Sequence, residues 1–136
     1  QKYLPRKGET SGQLELNYTN NYRTIRYAEV YLLAAEAFNR STTPNDAKAR
    51  TYLNEVRARA FGNHLHDINT SGAALRQSIW DERRLELAME GDRFFDLVRT
   101  GKAAAKIAGF VTGKHEVFPL PQNEVSVGGL QQNPMY

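Results

Sequence analysis

The chain contains no cysteine. Disulfides, thiolate metal sites and a cysteine nucleophile are therefore excluded, although compartment is not decided by that absence. No apolar run approaches the roughly 20 residues that a membrane-spanning helix needs. No GxSxG elbow, GxGxxG turn or GxxxxGK[ST] loop is present, which removes the usual serine-hydrolase, dinucleotide and nucleotide-phosphate signatures. The 18 lysines and arginines are interleaved with 15 acidic residues, for a net charge of +3. A nucleic-acid interface needs a basic stripe or patch, and none is visible along the sequence.

What is present fits an ordinary globular chain. Its 136 residues, 40% hydrophobic and 24% charged, suffice for one domain with a real core. Residues 1–23 carry Pro5, Gly8, Gly12 and an Asn-rich cluster, and read as an irregular lead-in. A helical hairpin is predicted over 24–60. Its first helix places Ile25, Ala28, Leu32, Ala35 and Phe38 on one face, widened by Val30 and Leu33. Thr43-Pro44 supplies an N-cap and a first-turn proline for the second helix, which carries Ala49, Leu53, Val56 and Ala60 on its apolar side. Tyr27, Tyr31 and Tyr52 read as packing residues of this hairpin, and Gly62 ends it.

After a polar loop capped by Thr70 or Ser71, a second helical pair is predicted over 73–108. Its first member runs to Glu90 and stops at Gly91; its second starts near Asp92 and breaks at Gly101. From 109 to 136, Gly113, Pro119, Pro121, Gly128, Gly129 and Pro134 predict a non-helical, extended tail, a strap in which Phe118, Leu120 and Val125 seek burial. The expected fold is therefore all-α, a single domain over 1–136 built of antiparallel helical pairs. The first pair spans about 34 residues, like a tetratricopeptide unit, and such α-α superhelices need about three units for stability. With one and a half units, and a start at Gln1-Lys-Tyr-Leu, the chain reads as a piece of a longer protein. Such a piece is expected to expose an apolar face that the remainder covers.

The densest chemistry lies in Asp81 to Gly101, DERRLELAMEGDRFFDLVRTG. Glu82, Glu86 and Glu90 fall at i, i+4 spacing, with Arg83, Arg84, Arg93 and Arg99 among them. Neighbouring carboxylates could serve glycoside hydrolysis, where acid and base stand roughly 5 to 9 Å apart. That chemistry needs one carboxyl kept protonated, and four arginines favour the ionised form. The stretch thus reads as an ion-pair network fixing helix packing, with Arg26, Arg57 and Arg59 as further partners, and no catalytic residue is assigned. His64 and His66, with Asp67, are the only cluster of metal-ligand types, but no third histidine or ExxH pattern accompanies them, so no metal site is assigned. Trp80, beside Ile79, reads as packed rather than displayed for stacking on a sugar.

Three blocks carry a resemblance. Arg26-Tyr-Ala-Glu-Val-Tyr-Leu-Leu-Ala-Ala-Glu-Ala37 with Leu53-Asn-Glu-Val-Arg57 resembles the helical hairpin of the SusD/RagB family. Asp81-Glu-Arg-Arg-Leu-Glu-Leu-Ala-Met-Glu-Gly91, then Arg93-Phe-Phe-Asp-Leu-Val-Arg99-Thr-Gly101, is similar to that family's most recognisable helix. Phe118-Pro-Leu-Pro-Gln-Asn-Glu124 and Gln132-Asn-Pro-Met-Tyr136 resemble its closing signature, with Leu120 where isoleucine is usual and Met135 where glycine is common. The likeness runs from about Tyr22 to Tyr136.

The resemblance implies the C-terminal part of a surface-exposed, lipid-anchored outer-membrane protein of Bacteroidetes-type bacteria. Such proteins are not enzymes and use no cofactor. They bind a glycan or other nutrient and act with a SusC-type TonB-dependent transporter; the missing N-terminal part of the same protein would be a further partner. Which residues contact the ligand is not implied. The alternative is a tetratricopeptide-like scaffold for protein–protein interaction, which would have more helical units upstream and no lipoprotein signal.

Overall fold

A computed structural model of the chain describes residues 23–136. The expected lead-in therefore lies almost wholly outside the described residues. Two compact units divide at the boundary between Asp67 and Ile68. Among the described residues every regular element is a helix, as the sequence pattern predicts.

The first unit is an antiparallel hairpin of α1 (Tyr27–Arg40) and α2 (Asp46–Phe61). Leu32 and Ala35 from α1 and Ala49, Leu53 and Val56 from α2 are buried, which is the seam that the 3.6-residue period marks. Each fully buried leucine contributes about 1.5–3 kcal/mol relative to exposure. The seam is narrower than the pattern suggests, since Val30 and Leu33 are exposed and Ile25 precedes the helix. Aromatic rings extend the contact between the helices: Tyr31 meets Tyr52 edge-on at 5.3 Å, and Phe38 stacks parallel on Tyr52 at 5.6 Å. Tyr27 touches Tyr31 at 4.6 Å but is otherwise exposed, so it lies at the edge of the hairpin rather than in its core.

The cap of α2 differs from the predicted one. Asn45, not Thr43, is the N-cap, and its Oδ1 accepts the Lys48 N–H at 3.0 Å. Asn45 N–H in turn donates to the Phe38 carbonyl at 2.9 Å, which closes the turn and leaves Pro44 outside the helix. The buried Asn39 side chain donates to Asp46 Oδ1 at 2.8 Å, tying the end of α1 to the start of α2. Gly62 ends α2 in the left-handed region, with its N–H on the Ala58 carbonyl. That geometry favours glycine because a Cβ would be strained there.

The second unit holds α3 (Gly72–Glu86), α4 (Arg93–Arg99), α5 (Ala103–Lys106) and α6 (Gln122–Gly128). Leu75, Ile79, Leu87, Leu97 and Ala103 are its buried apolar residues. The first helix ends four residues earlier than predicted, at Glu86 rather than Glu90. Leu87 caps α3 through the Arg83 carbonyl, and the chain turns with Met89 at φ 67° and Gly91 at φ 95°. The early turn folds α4 back so that Asp96 reaches Arg83, which a helix continuing to Glu90 would carry out of range.

The tail also departs from the predicted strap. Residues 122–128 form a helix despite the neighbouring prolines, because Pro121 sits at its N-cap, where no N–H is needed, and Gly129 closes it at φ 65°. None of its residues is buried, Val125 is half-buried, and Phe118 stays largely exposed while touching Phe94 at 6.3 Å. The rest of the tail is extended or turned and is clasped onto itself. Gln132 accepts the Leu120 N–H at 2.7 Å and donates to the Leu120 carbonyl at 2.9 Å, as a paired strand would. Asn133 Nδ2 donates to the Phe118 carbonyl at 2.6 Å, and the Tyr136 hydroxyl to that of Val117 at 3.1 Å. The two halves of the closing motif are therefore one hydrogen-bonded clasp.

Candidate functional site

Three helical stripes in the second unit supply a cleft of about 290 Å³. Gln77, Trp80, Asp81 and Arg84 lie at i, i+3, i+4 and i+7 on α3, and so share one helix face. Arg93, Asp96, Leu97 and Thr100 repeat that spacing along α4 and its C-cap, and Lys102 and Lys106 are one turn apart at α5.

Asp96 is the hub. Its carboxylate accepts from Arg83 Nε at 2.9 and 3.2 Å and from Arg99 Nε at 2.8 Å, with Arg99 Nη2 at 2.7 Å. Arg83 is only 3% exposed, so its charge is tolerable only with such hydrogen-bonded pairing. The Thr100 hydroxyl donates to the Asp96 carbonyl at 2.6 Å and fastens the end of α4. The ion-pair network read from Asp81–Gly101 is thus present, with Asp96 joining two of its arginines, and Glu82, Glu86 and Glu90 are partnered as well. Of the three glutamates, Glu82 is buried, Glu86 and Glu90 are half-buried, and Glu90 lies past the helix in the turn.

The rest of the cleft is cationic. Arg84, Arg93, Lys102 and Lys106 face two acids, of which Asp96 is already held by Arg83 and Arg99. Asp81 accepts from Gln77 Nε2 at 2.9 Å, and Gln77 Oε1 accepts from Lys102. Lys102 Nζ also rests over the Trp80 ring, 4.4 Å from its centroid, a cation–π contact that covers one indole face. Trp80 is half-buried, and its indole N–H is buried with no hydrogen-bond partner among the described residues. Trp80 thus borders the cleft with one ring face covered by Lys102 and its N–H out of reach of solvent.

A second cleft of about 250 Å³ shares Arg84, Arg93 and Asp96 and adds Arg83, Leu87, Ala88, Met89 and Asp92. Met89 is 88% exposed in the left-handed region, an uncommon position for a residue with a side chain.

His64 and His66 lie elsewhere, in the first unit. His64 Nδ1 is 3.1 Å from Asp67 Oδ2, and the His66 ring packs against Phe61 at 4.1 Å. Among the described residues no three ligands of metal-binding type converge. Asp96, Lys102 and Lys106 were not singled out in the sequence, although an acid three residues before Arg99 and lysines four apart after Gly101 were available signals. Their convergence depends on the turn at 87–92, which periodicity does not show.

Comparison with known proteins agrees with the blocks read above. The SusD family model matches residues 1–117, so the clasp from Phe118 onward lies beyond the match. SusD-like protein P25 of Formosa agariphila is 42% identical over 89 residues, 62% of this chain and 16% of its own length. SusD-like protein P2 of the same organism is 36% identical over 109 residues, 76% of this chain and 20% of its own. A SusD-like protein of Bacteroides ovatus is 33% identical over 85 residues, 62% of this chain and 14% of its own. The chain thus spans a fifth or less of the length of these curated relatives. A family model covering most of the sequence, together with an all-helical structure, places this chain in the SusD family.

Proposed function

We propose that this chain is part of a nutrient-binding component of an outer-membrane uptake system, that it serves glycan capture, and that the whole protein works with a SusC-type TonB-dependent transporter. Family membership carries the reading. The cleft chemistry supports binding rather than bond cleavage: Asp96, the buried carboxylate, is committed to two arginines, and no hydroxyl there is paired with a base. In this reading the protein is lipid-anchored and surface-exposed. No helix among the described residues is long and apolar enough to cross a membrane.

The test is calorimetric titration of the full-length protein with a panel of polysaccharides and oligosaccharides, alongside affinity capture from solubilised outer membranes. Saccharide binding and recovery of a TonB-dependent transporter are the expected outcomes. Binding of peptides alone, with no saccharide bound, would overturn the glycan assignment.

The scaffold reading has one observation in its favour, the apolar side chains of Tyr27, Val30 and Leu33 exposed along α1. The full gene decides between the two. A signal peptide with a lipobox cysteine supports the uptake reading, and further tetratricopeptide units without one support the scaffold.

A further inference from the structure

We propose that the cleft between α3, α4 and α5 binds an oxyanion substituent, a carboxylate or sulfate, carried on an acidic saccharide. The inference rests on the glycan-binding reading for what carries the anion, while the anion itself is argued from the cleft. Four cations line it against Asp81 and the buried Asp96, and Asp96 is already neutralised by Arg83 and Arg99, which leaves a local positive excess. Arg84, Arg93 and Lys106 form no ion pair among the described residues, so they are available to an external charge. Guanidinium forks match the planar geometry of a carboxylate and the tetrahedral faces of a sulfate, and such charge-assisted bonds are about twice as strong as neutral ones.

One further feature fits a saccharide better than a bare ion. Arg84 and Arg93 also border the second cleft, where Ala88 and Met89 offer an apolar ledge to the C–H face of a sugar ring. Stacking on Trp80 is not the mode here, because Lys102 lies over the ring. Charge does the selecting, and the ledge carries the ring.

The experiment is calorimetry on the full-length protein with oligogalacturonate, a sulfated carrageenan oligosaccharide and a neutral agaro-oligosaccharide, comparing wild type with the Arg84→Gln, Arg93→Gln double variant. Both arginines are exposed, so the variant should melt as the wild type does. The expected result is tighter binding of an acidic saccharide than the neutral one, weakened at least tenfold by the double variant and by raising salt. The carboxylated and sulfated arms show which oxyanion is preferred. Acidic binding that the variant leaves intact overturns the site. Binding of the neutral saccharide as tightly as the acidic ones overturns the inference and leaves the glycan reading standing. Failure of every saccharide in the panel overturns both.

Discussion

The α1–α2 hairpin and the α3–α5 region are both helical, yet they are held in different ways. The hairpin closes on Leu32, Ala35, Ala49, Leu53 and Val56, with Tyr31, Tyr52 and Phe38 stacked beside them. The second region buries Glu82, Arg83 and Asp96 along with its apolar residues, and it closes on an arginine–aspartate–arginine link and a tail clasp. Apolar contact is non-directional and tolerates adjustment. A buried charge is not forgiving, because removing one partner strands the other. The hairpin also buries Glu36, paired with Arg40 at 2.8 Å, but its seam is apolar, so loss of a charged partner is expected to cost most in the second region.

That contrast can be broken or sharpened by experiment. The largest effect is expected for Asp96→Ala, which removes the carboxylate that joins the buried Arg83 to Arg99 and should cost about 3–5 kcal/mol in denaturant unfolding. Adding Arg83→Met should recover much of that loss. A cost below about 1 kcal/mol, in the range of exposed pairs, would mean the hub is not a structural tie. Leu53→Ala should cost about 2–5 kcal/mol by opening a cavity in the hairpin seam, with no rescue available from charge changes.

Gln132→Ala removes both side-chain bonds to Leu120 and should cost about 1–2 kcal/mol. Its signature is faster hydrogen exchange at the Leu120 amide, with the hairpin amides unchanged; equal acceleration everywhere would deny the clasp its local role. The smallest effect concerns Tyr31, whose hydroxyl pKa is raised above the ordinary tyrosine value by its hydrogen bond with Tyr27, with smaller contributions from the Tyr27 charge, burial, Glu55 and Tyr52. A raised folded pKa favours the neutral phenol, so this contribution is complete below the unfolded value and is lost as pH rises through the folded one. Ultraviolet titration should show Tyr31 ionising later than a free tyrosine, and Tyr27→Phe should move it back. An unchanged Tyr31 titration in that variant would rule out Tyr27 as the cause.

The parts of the molecule legible in advance are those set by local periodicity. Helical spacing from Leu32 to Val56 gave the hairpin, and glycine after Phe61 gave its end. The blocks around Tyr27–Ala37 and Asp81–Gly101 also gave the family. Less was legible at the boundaries, where Asn45 rather than Thr43 caps α2 and Gln122–Gly128 is helical in a tail rich in proline and glycine. Caps depend on which side chain reaches a free N–H, and several candidates in a row compete for one donor.

Asp81–Gly101 was conspicuous from the start as a charged helix, a row of glutamates with arginines between. By itself the sequence determined that this stretch is amphipathic, ion-paired and diagnostic of the family. Only the tertiary structure decided that α3 stops at Glu86, that the chain reverses through Met89 and Gly91, and that Asp96 takes Arg83 and Arg99. That turn brings Arg84, Arg93, Lys102 and Lys106 to one cleft. The physical reason is range: helical propensity and periodicity act over about four residues. The pairing of Arg83 with Asp96, by contrast, crosses thirteen positions and exists only after the chain has turned.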